Sequence, residues 1–147
     1  MKMNTSRIFA KTVLCTVVGG LLAVNVSYAE DSIFEKSVAE LQSELQSGKI
    51  TSVQLVDYYL KRIKVYDGVL KSMITVNDKA MEEAQRLDKE RAAGKIEGPL
   101  HGIPIVIKDN YDTYDMPTTS GALAFKDLQP TKDAFTVDKL RKAGAIL

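Results

Sequence analysis

From residue 30 onward the apolar positions recur mostly at helical spacing. Phe34, Val38, Leu41 and Leu45 follow Asp31 and Ser32 at intervals of three or four, which predicts a first helix stopped by Gly48. Thr51-Ser52-Val53-Gln54 has the form of a capping box, with Ile50 and Leu55 placed to staple it. Val53, Val56, Tyr59, Leu60 and Ile63 give the second helix an apolar face, and Asp67-Gly68 is expected to turn the chain. Two helices joined by so short a link are expected to pack antiparallel. Ser72 to Val76 reads as a short strand or extended segment. Asp78 is placed to cap a third helix with Ala80, Met81, Ala84 and Leu87 on one face, ending near Gly94. The charged stretch that follows Gln85 covers its solvent side.

The period changes after Pro99. Ile103 to Ile107 is a continuous apolar run, as a strand covered on both faces requires. Thr131 to Gly144 is helical again, with Ala134, Val137, Leu140 and Ala143 inward, and Ala145-Ile146-Leu147 opens another apolar run. Strand, long connection, helix and strand make a βαβ unit with a right-handed crossover. The predicted fold class is therefore α/β: amino-terminal helices followed by the first βαβ unit of a mixed or parallel sheet covered by helices. Two strands alone would leave one face and both edges bare, so residues 30–147 are expected to be the amino-terminal part of a larger domain.

Composition narrows the class. A chain of 147 residues, 45% hydrophobic and 27% charged with a formal net charge of +1, fits one globular domain and lacks the charge excess of a nucleic-acid binder. Residues 1–29 stand apart: Lys2, Arg7 and Lys11 precede an uncharged run from Thr12, and Ser27-Tyr28-Ala29 is a small-x-small cleavage pattern. This reads as a signal peptide cut after Ala29, and the product as exported, periplasmic or secreted. Broken by Gly19, Gly20, Asn25 and Ser27, the run falls short of the roughly 20 apolar residues of a membrane span. Cys15 lies in this segment, preceded by Leu14 rather than by the small residue of a lipoprotein signal. After cleavage no thiol remains, which removes a disulfide, a cysteine nucleophile and a cysteine metal site. Three basic residues leave with the leader, so residues 30–147 hold 17 basic and 19 acidic side chains, a charge of −2.

Candidate chemistry centres on "GIPIVIKDN", Gly102 to Asn110, where three branched apolar residues run into Lys108. Open α/β sheets bind ligands at the carboxyl ends of their strands, where Lys108 and the loop from Asp109 to Lys126 fall. His101 sits at the opposite end, up to about 23 Å away at about 3.3 Å per residue, and is assigned a structural or surface role. Asp109, Asn110, Asp112 and Asp115 lack the spacing and glycine of a calcium loop. Turn formation and pairing with Lys108 are their plainer uses, and neither metal nor cofactor is expected.

The stretch from Gly98 to Phe125 (GPLHGIPIVIKDNYDTYDMPTTSGALAF), followed by Asp133 to Leu147 (DAFTVDKLRKAGAIL), resembles the amidase signature family in order and spacing. The resemblance implies a hydrolase of carboxylic amides that uses a serine nucleophile, a bridging serine in a cis peptide, and a lysine. Lys108 occupies the lysine position; the two serines belong to a Gly/Ser-rich segment further along in family members. It also implies that Thr119, Ser120 and Gly121 line the substrate pocket, Ser120 as wall rather than nucleophile. A small-molecule or peptide-like amide is the expected substrate.

An unperturbed lysine, of pKa about 10.4, is neutral only about once in 2,500 near pH 7, a deficit of roughly 4.6 kcal/mol. Burial against Ile107 and covering helices is expected to lower that pKa, with Asp109 pointing away into the turn. Alone, the chain is expected to be inactive, with only the lysine of the mechanism. The other readings are an amidotransferase A-subunit-like protein, and a non-catalytic helical binding module or remnant of a broken reading frame.

Overall fold

The computed structural model describes residues 33–147; the predicted signal peptide, with Cys15, lies outside them. Four α-helices follow in order among the described residues: α1 (Val38–Gln46), α2 (Ser52–Leu70), α3 (Ala80–Ala92) and α4 (Phe135–Lys142), with a 3-10 turn at Leu123–Phe125 before the last.

Local capping sets where each begins and ends. α1 starts at Ser37 rather than near Asp31. The Ser37 hydroxyl accepts from the Glu40 N–H while the Glu40 carboxylate takes the Ser37 N–H, a second capping box. Phe34 and Val38 are consequently exposed, and Ile33, Leu41 and Leu45 form the buried stripe. The Thr51–Gln54 box forms as predicted. Asp67-Gly68, however, does not turn the chain: α2 runs on to Leu70 and ends at Lys71 in the left-handed conformation. The Asp67 carboxylate accepts from the Ser72 hydroxyl and from the N–H groups of Ser72 and Met73. It therefore closes the helix from inside the last turn, and these bonds hold its carboxyl below the usual range. Nor does Asp78 cap α3. Asn77 organises that start, accepting from the Lys79 N–H and donating to the Leu147 carbonyl at 2.7 Å.

Packing makes α2 the shared wall of two apolar clusters. Leu55 and Tyr58 join Ile33, Leu41, Leu45, Ile50 and Ile103 on one side, and Val56 joins Ala80, Ala84, Leu87 and Ile146 on the other. Each buried branched side chain contributes about 1.5–3 kcal/mol. α2 packs closely against α3, and α1 meets α2 in the first cluster through Leu41, Leu45, Leu55 and Tyr58. Asp88 of α3 fastens the α2–α3 pair by accepting from the N–H groups of Ser52 and Val53 at 2.8 and 3.0 Å. Two of the four orphan amides at the start of α2 are thus satisfied from another helix.

The predicted sheet is present only in outline. Among the described residues there is no strand longer than an isolated bridge, and 72–76 form none. Pro104 and Ile146 make one parallel bridge, with Ile146 donating to the Ile103 carbonyl at 2.9 Å and Ile105 to the Ile146 carbonyl at 2.8 Å. Pro104 has no N–H to extend the ladder, and a two-member parallel pair has no further neighbours to support it.

His101 is where these pieces meet. Its side chain is fully buried, with Nδ1 accepting from the Glu97 N–H at 3.1 Å and Nε2 donating to the Leu87 carbonyl at 3.0 Å. Its own carbonyl accepts from Arg91 at 2.7 Å and from Gln42 of α1 at 3.2 Å. Gly144, at φ +87°, packs directly on it: a Cβ there would lie 2.5 Å from the His101 Cα. The structural role expected of His101 is therefore observed.

Replacing His101 by Ala strands the Leu87 carbonyl and the Glu97 N–H and opens a cavity, a loss of about 3 kcal/mol. Thermal unfolding followed by circular dichroism should show the midpoint falling by on the order of 10 °C. A midpoint within about 2 °C of the parent would contradict the role given to this residue.

Candidate functional site

From the bridge at Pro104 the chain runs extended to Lys108 and leaves the helical layer as it goes. Ile103 is buried at 3% exposure, whereas Val106 is 70% exposed and Lys108 is exposed as well. Beside this segment opens a groove of about 1000 Å³. Its walls are apolar, formed by Leu60, Ile63 and Tyr66 of α2, by Ile105 and Ile107, and by Met116. Lys108, Asn110, Ser120 and Gly121 supply polar atoms to it.

The burial expected for Lys108 is not observed. No described helix covers the segment beyond Ile105, so the side chain stands at the groove's edge, exposed to solvent. Its Nζ forms no ion pair with another described residue, contrary to the pairing expected with the loop carboxylates. Two of those groups are engaged elsewhere, Asp109 with the loop 119–121 and Asp115 with Arg141. Asp115 and Asp133 both bind Arg141, at 2.5 and 2.9 Å, and Asp133 also accepts from the Tyr114 N–H. The Gln129 side chain donates to the carbonyls of Thr113, Tyr114 and Met116, which ties the loop 113–116 to the residues ahead of α4.

Asp109 opens a turn, with the Tyr111 N–H donating to the Lys108 carbonyl at 3.0 Å, and it borders the groove as Lys108 does. Its carboxylate accepts from the Thr119 N–H at 3.0 Å, from the Thr119 hydroxyl and from the Gly121 N–H at 3.3 Å, and its carbonyl accepts from the Ser120 N–H at 2.9 Å. Burial pushes the carboxyl pKa up, but the hydrogen bonds from Thr119 and Gly121 outweigh it, so the net shift is downward. Ser120 and Gly121 both have positive φ, +50° and +71°.

Of the residues singled out from the sequence, Lys108, Ser120 and Gly121 come together on one groove. Thr119 does not join them: it is 8% exposed and its hydroxyl is committed to Asp109. His101 stays in the core, away from the groove. The clamp made by Asp109 is the feature that spacing alone does not disclose, because its partners lie ten to twelve residues away. Among the described residues no group of three His, Cys, Asp or Glu could hold a metal ion. No helix of the described residues is long and apolar enough to cross a membrane.

Comparison with known proteins follows the same stretch. The family model described as Amidase matches residues 54–147. A putative amidase of Schizosaccharomyces pombe is 39% identical over 114 residues, 77% of this chain and 20% of the relative. The A subunit of the glutamyl-tRNA(Gln) amidotransferase of Thermobifida fusca is 38% identical over 116 residues, 78% of this chain and 23% of the relative. The crystal structure of the native peptide amidase of Stenotrophomonas maltophilia superposes with a TM-score of 0.74 at 40% identity, over 77% of this chain and 24% of that one. The chain thus spans about a fifth to a quarter of the length of the proteins it matches.

A carboxyl with a depressed pKa contributes stability that is complete above its ordinary value of 3.8 and is lost as the pH falls through the lower, folded-state value. Amide exchange of Thr119 and Gly121, followed by NMR, should therefore show steady protection factors from neutral pH to about 5 and a loss below about 4. Protection unchanged at pH 3 would refute the clamp.

Proposed function

The chain belongs to the amidase family, and from that premise we propose that it carries the lysine-bearing part of an exported hydrolase of carboxylic amides, with Lys108 as the proton carrier. One observation supports this most: Lys108 stands without an ion-pair partner among the described residues at the edge of an apolar groove, beside the 119–121 loop, whose N–H groups take up the Asp109 carboxylate. An amine that must take up a proton is served by this arrangement, because a carboxylate at contact distance would hold it cationic.

In the reaction, neutral Nζ of Lys108 draws a proton from the nucleophilic serine through the hydroxyl of the bridging serine as the serine oxygen attacks the amide carbon. The same proton returns to the leaving nitrogen when the carbon–nitrogen bond breaks, and water then releases the acyl group. Both serines are contributed by the Gly/Ser-rich segment of the family mechanism. Ser120 and Gly121 form wall, and the substrate is a small-molecule or peptide-like amide, the class named for the peptide amidase of Stenotrophomonas maltophilia. By itself the chain is inactive.

Two measurements test this reading. The purified chain should leave simple amides and peptide amides intact. Substituted for the matching quarter of the peptide amidase, it should restore hydrolysis, and Lys108→Met in that hybrid should lower kcat about 100-fold or more. Hydrolysis by the chain alone, or a fully active Lys108→Met hybrid, would sink the proposal.

A second reading, an amidotransferase A-subunit-like protein acting on charged transfer RNA, draws on the 38% identity to the Thermobifida fusca protein. The leader-like pattern of residues 1–29 argues for export instead. Fractionation of the source cells followed by intact-mass analysis should recover the chain outside the cytoplasm with Glu30 as its first residue. A cytoplasmic chain that retains residues 1–29 would favour the second reading.

A further inference from the structure

Three consecutive N–H groups point at a single residue. Those of Thr119 and Gly121 donate to the Asp109 carboxylate and that of Ser120 to the Asp109 carbonyl. Such convergence needs a chain that curls back on itself, and the two positive φ values at Ser120 and Gly121 provide the curl. Glycine adopts this conformation freely, whereas serine adopts it against the crowding of its own Cβ. A strained residue persists where its surroundings over-determine it, and such places cluster at ligand sites. Here they are the loop's own bonds, from the Ala122 N–H to the Thr119 carbonyl at 2.9 Å and from the Gly121 N–H to the Thr119 hydroxyl at 3.1 Å, together with the Asp109 carboxylate. The Thr119 hydroxyl completes its coordination, and Thr118 and Thr119, both buried, anchor the loop's inner side. Ser120 and Gly121 are left exposed on the groove that holds Lys108.

We propose that Asp109 is a positioning residue: through Thr119 and Gly121 it holds Ser120 in its left-handed conformation, so that Ser120 and Gly121 form a rigid contact surface for a substrate amide beside Lys108. This rests on the amide-hydrolase reading for the identity of the ligand. Adjacent residues of one extended segment then divide the work. Lys108 lies on the groove, and Asp109, which also borders it, shapes the 119–121 wall through its hydrogen bonds. The carboxylate is suited to the task because an anionic acceptor makes stronger hydrogen bonds to backbone amides than a neutral one. Its two oxygens also serve amides two residues apart in sequence, which fixes the turn between them.

The test uses the chain itself, with N-acetyl-leucinamide as the probe and NMR as the readout. In the parent, the titration should move the amide resonances of Ser120 and Gly121. Asp109→Ala should raise the Kd at least tenfold and release the amides of residues 119–121 to solvent exchange. Asp109→Asn, which keeps one acceptor oxygen, should fall between the two and remains informative if the alanine variant does not fold. Thr119→Val removes the hydroxyl but keeps the backbone donor, and should weaken binding less than Asp109→Ala. A merely structural aspartate would lower the unfolding midpoint while leaving the Kd of the folded protein unchanged, and that result would overturn the proposal. So would a titration that leaves the resonances of Ser120 and Gly121 in place. The outcome is separable from that of the hydrolase reading, because binding is measured without turnover. Tight, Asp109-dependent binding together with a fully active Lys108→Met hybrid would retain the positioning role and remove the proton carrier.

Discussion

A buried imidazole holds this structure together. His101 accepts from one backbone group and donates to another, and through its own carbonyl it receives a side chain from α1 and one from α3. Buried polar groups are tolerated when every donor and acceptor is matched, and here the matching partners come from α1, from α3 and from the loop that follows it. The bridge between Pro104 and Ile146 lies just beyond this residue, and the extended segment that carries Lys108 leaves from it. The direction in which the groove's lysine is presented is therefore set at the other end of the segment, in the core.

Two arginines of the helices are compensated close by: Arg86 is surrounded by Glu83, Glu90 and Glu97, and Arg141 by Asp115 and Asp133. At the groove Lys108 has no such partner among the described residues, and the carboxylate adjacent in sequence is turned to the loop 119–121.

Much of this is legible in the sequence, and the failures have physical causes. The Thr51–Gln54 capping box and the buried face of α3 follow from local spacing, and both are found. The lysine position follows from the motif around Gly102 to Asn110, and the structure puts it on the groove with Ser120 and Gly121. Asp67-Gly68 reads as a turn because both residues favour one; the helix instead continues until Lys71, since the Asp67 side chain is used by residues beyond it. Strand formation depends on neighbours that a linear pattern does not contain, and Ile103 to Ile107 retains one bridge. Burial of Lys108 is inferred from its apolar predecessors, but what surrounds a strand end is a tertiary property. The partners of Asp109 and Asp88 are invisible for the same reason: each lies too far along the chain for periodicity to register.

Asp88 carries a consequence for how the chain acquires its shape. By reaching Ser52 and Val53, separated from it by 36 and 35 positions, one carboxylate ties the intervening residues into a ring. Closing a ring of that size costs on the order of 3 kcal/mol in chain entropy, and the amides at the beginning of α2 are not fully satisfied until it is closed. The start of α2 is thus a long-range event despite its local capping box, and α2 and α3 open and close as one cooperative unit rather than as two independent helices.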